Sequence, residues 1–345
     1  MDPVRTCALC PKLCRFACPP ASACGDENAV PTSIAAWIVL RDAGTLTADA
    51  ASTHPLYRCT GCLGCQVPCE FDIDVPAFLG PERERAWKAG HVADRVREVA
   101  DRVAAGEPPD ETAGHHRELT GPRFAGQGIV YWPGCALVGL DPGAVERTRA
   151  LLEERLEQPV GLPAEATPAC CGDPLRAAGD RSRATGHRAT LAQALRGASR
   201  VITGCACCLE ALPAGAQHVI DVLGFQWPAG DVRGPVAFHD PCHLARPTDR
   251  GGAPRALLAA SSGASVEEFV DRGVETGCCG AGDSFGLFFP EDGLAVARFR
   301  LRDPAVERST AVVTACSRCA AQLARSQPAG PPVYDLADYL ARSRG

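Results

Sequence analysis

Cys59, Cys62, Cys65 and Cys69 stand in the spacing C-x2-C-x2-C-x3-C. Three thiolates within one tight turn can cap three iron corners of a cubane, and the fourth, already leaving the turn, reaches across to a neighbouring cluster. A partner set is therefore expected, and Cys7, Cys10, Cys14 and Cys18, closed by Pro19, supply it. Crossed ligation puts Cys69 with Cys7, Cys10 and Cys14, and Cys18 with Cys59, Cys62 and Cys65. There are two departures from the usual rhythm. Pro11-Lys12-Leu13 places three residues where two are usual, which loosens the geometry at Cys14 and leaves a three-iron or labile cluster open there; Glu70 stands where a proline usually follows. Structural zinc also uses C-x2-C pairs, but four ligands suffice for it, and the third and fourth cysteines of each run would then be idle.

The rest of the chain carries a larger, doubled pattern. Cys135 follows Ile129-Val130-Tyr131-Trp132, Cys170-Cys171-Gly172 comes next, and Cys205 and Cys208 follow Val201-Ile202-Thr203. Cys242, Cys278-Cys279-Gly280, and Cys316 with Cys319 repeat this order, with Cys242, Cys278 and Cys316 lying 107, 108 and 111 positions after Cys135, Cys170 and Cys205. That is an internal duplication with small changes in loop length. Each copy sets its cysteines just beyond short β-branched runs that read as buried strands, separated by helical stretches. In open α/β sheets the crevice beyond the strands' carboxyl ends is where ligands sit, so five sulfurs per copy converge there. Adjacent cysteines cannot both face one metal in a regular strand or helix, so each Cys-Cys-Gly must be an irregular turn relieved by its glycine.

These residues carry a resemblance. Pro133-Gly134-Cys135, Cys170-Cys171-Gly172-Asp173-Pro174, His239-Asp240-Pro241-Cys242-His243 and Cys278-Cys279-Gly280-Ala281-Gly282 resemble the motifs of the cysteine-rich CCG-domain iron-sulfur proteins. That family holds the catalytic polypeptide of heterodisulfide reductase, the iron-sulfur polypeptide of glycolate oxidase and the C polypeptide of anaerobic glycerol-3-phosphate dehydrogenase. A double ferredoxin set followed by two CCG copies is the order of its fused members. The resemblance implies an α+β multidomain chain: an N-terminal α-helical ferredoxin-like domain over 1–80, a helix and linker over 81–127, and a duplicated α/β CCG domain with lobes at 128–235 and 236–345. It also implies two [4Fe-4S] clusters on the eight N-terminal cysteines and one or two noncubane [4Fe-4S] clusters on the five-cysteine sets, with zinc in one CCG site as the alternative. The second set, Cys242, Cys278, Cys279, Cys316 and Cys319, is then the candidate active site for disulfide chemistry.

Two cysteines fall outside these sets. Cys207 interrupts the pair Cys205 and Cys208 and reads as a spare buried thiol, and Cys24 as a small, partly buried residue. His239 and His243 flank Cys242 and read as neighbours that orient or protonate rather than as ligands. Gly280-Ala281-Gly282-Asp283-Ser284-Phe285-Gly286 has glycines like those of a dinucleotide loop, but it follows Cys279 rather than a strand. The Arg-rich segment from Arg176 to Arg188 reads either as a solvated helix face or as an anion-binding lip over a cluster.

The elements that must position these groups are less explicit. Residues 32–43 read as a helix capped by Thr32 or Ser33 and ended near Gly44, 81–105 as one amphipathic helix, and 106–128 as a linker. The N-terminus has no apolar core region, and the longest apolar stretch, Ile34 to Leu40, is far too short to span a bilayer. So many metal-spaced thiols point to a reducing, cytoplasmic location, with any membrane contact made through a partner subunit. A net charge of −6 without a basic stripe argues against nucleic acid. Three functional expectations stand side by side. One is an iron-sulfur electron-transfer subunit with disulfide reduction at a CCG site. The second is a non-catalytic relay beside a flavoprotein dehydrogenase for glycolate, lactate or glycerol 3-phosphate. The third is a zinc-stabilised scaffold.

Overall fold

The computed structural model describes residues 2–110, 112–224, 234–248, 252–262 and 265–343. Residues 2–110 contain no strand; they are helices at Pro3–Ala8, Pro19–Cys24, Pro31–Asp42, Val75–Lys88 and Asp94–Ala104, with single helical turns at Leu13–Ala17, Glu27–Ala29 and His54–Tyr57 in the segments between. Proline opens three of these helices at its first position, where a missing N–H costs nothing. This corrects the expected cap at Thr32 or Ser33: Pro31 starts the helix after Val30, and Thr32 is buried inside it.

The stretch 81–105 is two helices rather than one. The chain breaks at Gly90, whose φ of +74° is left-handed. The first of the two begins at Val75 because the Asp74 carboxylate accepts from the Ala77 N–H at 2.9 Å. Pro81, which reads as a helix start, lies in its interior. The linker contains one further short helix, Ala113–Arg117.

The remainder forms two lobes of the same topology. In the first, β1 (Gly128–Trp132), β2 (Val160–Gly161), β3 (Ala198–Thr203) and β4 (Gln217–His218) form a parallel sheet in the order β2-β1-β3-β4. In the second, β5 (Val236–His239), β6 (Val266–Glu268), β7 (Ala311–Thr314) and β8 (Val333–Asp335) repeat it as β6-β5-β7-β8. Val130, Ile202, Ala237, Phe238, Val312 and Val313 have no exposed surface, as befits parallel strands covered on both faces. Full burial of a side chain such as Phe238 contributes about 2–3 kcal/mol.

Chain order reverses between the two central strands of each sheet. Trp132 pairs with Thr203, and His239 with Thr314, at their carboxyl ends. This is the topological switch point, where a parallel sheet leaves a crevice. Among the described residues, no helix is long and apolar enough to cross a membrane.

Candidate metal centres

Both central strands of each lobe end on a cysteine segment. Cys135 opens the helix Cys135–Leu140 after β1, and Cys205 precedes the helix Ala206–Ala211 after β3, which carries Cys208. Cys242 and Cys316 hold the matching places after β5 and β7. The two Cys-Cys-Gly turns enter from the side, and their glycines lie at φ +89° (Gly172) and +88° (Gly280). Neither position has room for a side chain. A Cβ at Gly172 would lie 2.7 Å from the His187 ring, and one at Gly280 would lie 2.3 Å from the Gly293 carbonyl. His187 also donates from Nε2 to the Cys170 carbonyl at 2.8 Å, which holds the first turn.

The five sulfurs of each lobe meet. Cys170 hydrogen-bonds with Cys135 and Cys171, Cys171 with Cys208, and Cys208 with Cys205. In the second lobe Cys278 meets Cys242 and Cys279, Cys279 meets Cys319, and Cys319 meets Cys316. Hydrogen bonds from neighbouring thiols hold Cys171, Cys278 and Cys316 well below the ordinary thiol range, so each group contains a sulfur predisposed to the thiolate form that binds metal. All 20 cysteines are free of disulfides. The first group encloses a 60 Å³ cavity lined by all five of its cysteines. Converging thiols without disulfides fit iron-sulfur ligation, and in the first lobe the cavity adds space among them.

The N-terminal cysteines are grouped across the two runs. Burial, followed by the charges of Cys14, Cys10 and Cys69, pushes the Cys7 thiol up to about 12. Cys18 is raised by burial and feels Cys62 and Cys59, while Cys65 is raised by burial and feels Cys59 and Cys62. Cys69 thus has Cys7 and Cys14 of the first run as neighbours, and Cys18 has Cys62 and Cys59 of the second together with Cys14. The additional residue in the first run is absorbed by Lys12, which turns left-handed at φ +67° just before the single turn Leu13–Ala17. Cys24 stays apart and donates to the Asp292 carbonyl at 3.8 Å.

The groups touch one another in an order different from that of the chain. Cys62 packs with Cys242 and Cys278 in one buried cluster. Cys205 and Cys316, equivalent residues of the two copies, hydrogen-bond with each other across the lobes. The four sulfur groups therefore run in single file: first N-terminal group, second N-terminal group, second lobe, first lobe.

An ionic network holds this file together. Arg83, from the helix Val75–Lys88, pairs with Asp283 of the second lobe, and both are buried. Arg176 joins Asp283 to Asp173 at 2.7 Å each, and Arg318 reaches Asp173 at 2.8 Å. Burial alone would raise the Asp173 carboxyl, but the guanidinium groups of Arg176 and Arg318 hold it well below the usual carboxylate range. Asp283 and Ser284 adopt left-handed backbone at φ +49° and +60° to make these contacts. The glycine-rich run after Cys279 is thus a crossing point for charges between domains, which spacing alone does not show.

The histidines differ. His239 is fully buried, and its ring nitrogen lies within 4.8 Å of the Cys279 and Cys319 sulfurs. Burial and Arg300 push it down to about 3, so it is neutral. Arg300 Nε donates to His239 Nδ1 at 3.2 Å, and a guanidinium cannot accept. The proton of the neutral ring is therefore on Nε2, a buried atom without a hydrogen-bond partner among the described residues. His239 thus stands beside Cys279 and Cys319 with an unpaired ring N–H. Burial alone would lower His243, but the neighbouring Cys207 and the Glu210 carboxylate, 3.0 Å away, raise it to about 10. Cys207 is buried, as expected of a spare thiol, but it touches Cys205 and lies near Arg318, its counterpart in the second copy.

The cysteine-rich domain named CCG matches residues 129–212 and 236–324. The chain is 28% identical over 216 residues to the D polypeptide of the dihydromethanophenazine:CoB–CoM heterodisulfide reductase of Methanosarcina mazei, covering 55% of this chain and 52% of that protein. It is 26% identical over 280 residues to the B polypeptide of the fumarate reductase (CoM/CoB) of Methanothermobacter marburgensis, covering 76% and 56%. Lactate utilization protein A of Oceanobacillus iheyensis is 35% identical over 75 residues, 22% of this chain and 30% of that one. The chain spans about half the length of the first two of these relatives.

Proposed function

The chain belongs to the CCG cysteine-rich domain family, and from that premise we propose that it is the iron-sulfur electron-transfer subunit of a redox complex. The single file of sulfur groups carries this reading, because Cys62 against Cys242 and Cys278, and Cys205 against Cys316, leave no break between its ends. Cys7, Cys10, Cys14 and Cys69 would hold one [4Fe-4S] cluster, and Cys18, Cys59, Cys62 and Cys65 another. Cys242, Cys278, Cys279, Cys316 and Cys319 would hold a third centre, and Cys135, Cys170, Cys171, Cys205 and Cys208 a fourth. Clusters held by these residues would accept and pass single electrons.

The ends of the file have different surroundings. Leu9, Leu13, Phe16 and Phe71 are exposed around the first cysteine runs, the kind of apolar surface that a redox partner, such as a flavoprotein, would cover. At the other end, Cys135 is partly exposed whereas all five cysteines of the second lobe are buried. We therefore assign exchange with a sulfur substrate to the first lobe and an internal role to the second. In the second lobe, Arg300 holds the His239 ring so that Nε2–H faces Cys279 and Cys319, and the ionic network keeps the groups in register.

Anaerobically purified protein should contain well over eight irons per chain, with matching sulfide; a zinc-rich protein with little iron after anaerobic reconstitution would overturn the proposal. Cys171→Ser should remove the EPR response to added thiol or disulfide while the ferredoxin-type signals stay reducible by dithionite. If Cys279→Ser removes that response and Cys171→Ser does not, exchange belongs to the second lobe.

A further inference from the structure

Cys207 stands outside both five-cysteine sets, yet it lines a cavity in each lobe. The first-lobe cavity is bounded by Cys207 together with all five cysteines of that lobe. A smaller cavity in the second lobe is bounded by Cys207 together with Cys242, Cys279, Cys316 and Cys319. The remaining member of that set, Cys278, packs with Cys62 and Cys242 toward the N-terminal runs instead. Cys207 is thus the fifth sulfur around the second-lobe cavity, and it comes from the other copy.

Its neighbours decide which lobe it serves. The helix Ala206–Ala211 sends Cys208 to Cys171 of the first-lobe set. Successive residues of a helix point about 100° apart, so Cys207 leaves that set on a different bearing. Beside it lie two second-copy residues, His243 and Arg318. Cys205, its hydrogen-bond partner, also meets Cys316 of the second lobe. The repeat itself does not require sulfur here, because Arg318 occupies the equivalent position of the second copy. That guanidinium sits where a buried metal-thiolate centre needs compensating positive charge. A separate observation marks the same space as a binding site. His239 is fully buried, its Nε2 has no hydrogen-bond partner among the described residues, and a ring nitrogen lies within 4.8 Å of the Cys279 and Cys319 sulfurs.

Resting on the reading that each lobe holds an iron-sulfur centre, we propose that Cys207 is a ligand of the second-lobe centre, donated across the boundary between the copies. Its S–H bond breaks as the sulfur–iron bond forms, and the proton is released to solvent during assembly. The helix that carries Cys208 of the first-lobe set is then tied covalently to the neighbouring centre, which fixes the spacing of the last two members of the file. Cys278 is left to face Cys62.

The test uses the intact chain, reconstituted anaerobically with iron and sulfide, as wild type, Cys207→Ala and Cys207→Ser. The second-lobe EPR signal is identified as the one that Cys279→Ser removes, and the first-lobe signal as the one that Cys171→Ser removes. Cys207→Ala should change the second-lobe spectrum and speed the loss of that signal to an iron chelator at least about tenfold, the scale seen when even an outer contact to a metal ligand is lost. Cys207→Ser, which offers a harder oxygen donor, should keep the centre but lower its reduction potential. The first-lobe and N-terminal signals should stay as in the wild type, which also shows that the variants fold. If both variants leave the second-lobe spectrum, potential and iron release unchanged, Cys207 is a spare thiol and the proposal is overturned, while the iron-sulfur reading stands. If the first-lobe signal shifts instead, the assignment across the boundary is overturned. If the reconstituted wild type holds zinc and little iron, the iron-sulfur reading fails and this inference fails with it.

Discussion

The two lobes share strand order, a five-sulfur group and a left-handed glycine after each cysteine pair, yet equivalent positions have been given different residues. Trp132 ends β1 where His239 ends β5, and Cys207 stands where Arg318 stands in the second copy. Asp173 follows the first turn directly, whereas Asp283 comes three residues after Gly280. The exchanges are complementary, because Cys207 and Arg318 lie near each other where the copies meet, and Cys205 meets Cys316 there. Duplication supplied two sheets with identical crevices. Divergence set the second lobe's cysteines against Cys62 of the N-terminal runs and left Cys135 of the first lobe partly exposed. In an electron carrier, that asymmetry separates a site for passing charge from a site for meeting a substrate.

The strongest way to break this comparison is to loosen the inward-facing lobe. Arg83 and Asp283 are 3% and 5% exposed at their side chains, and removing one member of a buried ion pair leaves a charge without compensation at a cost of about 3–5 kcal/mol. Asp283→Asn keeps the shape and tolerates the left-handed backbone, so denaturant unfolding should show a loss in that range. The first lobe meets the same region through exposed ion pairs, Arg181–Glu84 and Arg183–Asp101, and through one buried neutral contact: Tyr57 donates to the Ala178 carbonyl at 3.1 Å. Tyr57→Phe should cost only about 1 kcal/mol. Equal losses from the two variants would remove the claim that the second lobe is the one locked in place.

The Cys-Cys-Gly turns give a second comparison. A side chain at either glycine must adopt left-handed backbone, worth about 1–2 kcal/mol. At Gly172 the added Cβ meets the His187 side chain, which can shift, but at Gly280 it meets the Gly293 backbone. Gly280→Ala should therefore destabilise by about 3 kcal/mol and Gly172→Ala by about 2 kcal/mol or less. Gly172→Ala should also disturb the hydrogen bond from His187 to the Cys170 carbonyl. Thermal melts of the two variants, run side by side, decide the order.

How much of this could be read from residues alone depended on range. The cysteine rhythms are local, so the repeat at Cys135 and Cys242 was legible; the crossing of Cys18 and Cys69 between the two N-terminal runs is an expectation from the same rhythm. The parallel strands were legible because buried β-branched runs precede the cysteines. Local punctuation was harder. Pro81 reads as a helix start but lies inside a helix, and Gly90 breaks the stretch just before its regularly spaced valines, Val92 to Val103. Contacts between copies left no local trace. Nothing beside Cys205 announces Cys316, and Arg300, which fixes the tautomer of His239, is 61 residues away from it. The Arg-rich segment was visible as charge, but its position over Cys171 depends on the tertiary fold.

The smallest expected effect concerns that tautomer, and it sharpens the comparison at the strand ends. His239 presents Nε2–H to Cys279 and Cys319, and a donor near thiolate sulfur favours the more negative, reduced state of whatever centre those sulfurs hold. Replacing it by a side chain without a donor, His239→Leu, should lower the reduction potential of the second-lobe centre. One hydrogen bond of about 1 kcal/mol corresponds to about 40 mV for a one-electron couple. His239→Gln, which keeps an N–H, should restore most of the shift. Arg300→Ala should produce part of it by freeing the ring, since the guanidinium then no longer donates to Nδ1. The potentials are read by EPR-monitored redox titration, with the ferredoxin-type centres as internal references. A role limited to packing predicts a different pattern: His239→Leu and His239→Gln would move stability together and leave the second-lobe potential where it was. In the first lobe Trp132 fills the corresponding place, with an indole N–H that is also buried and without a partner among the described residues. Trp132→Phe, which removes only that donor, should leave the second-lobe potential unchanged; if it lowers that potential as much as His239→Leu does, the two strand ends do not act on separate centres.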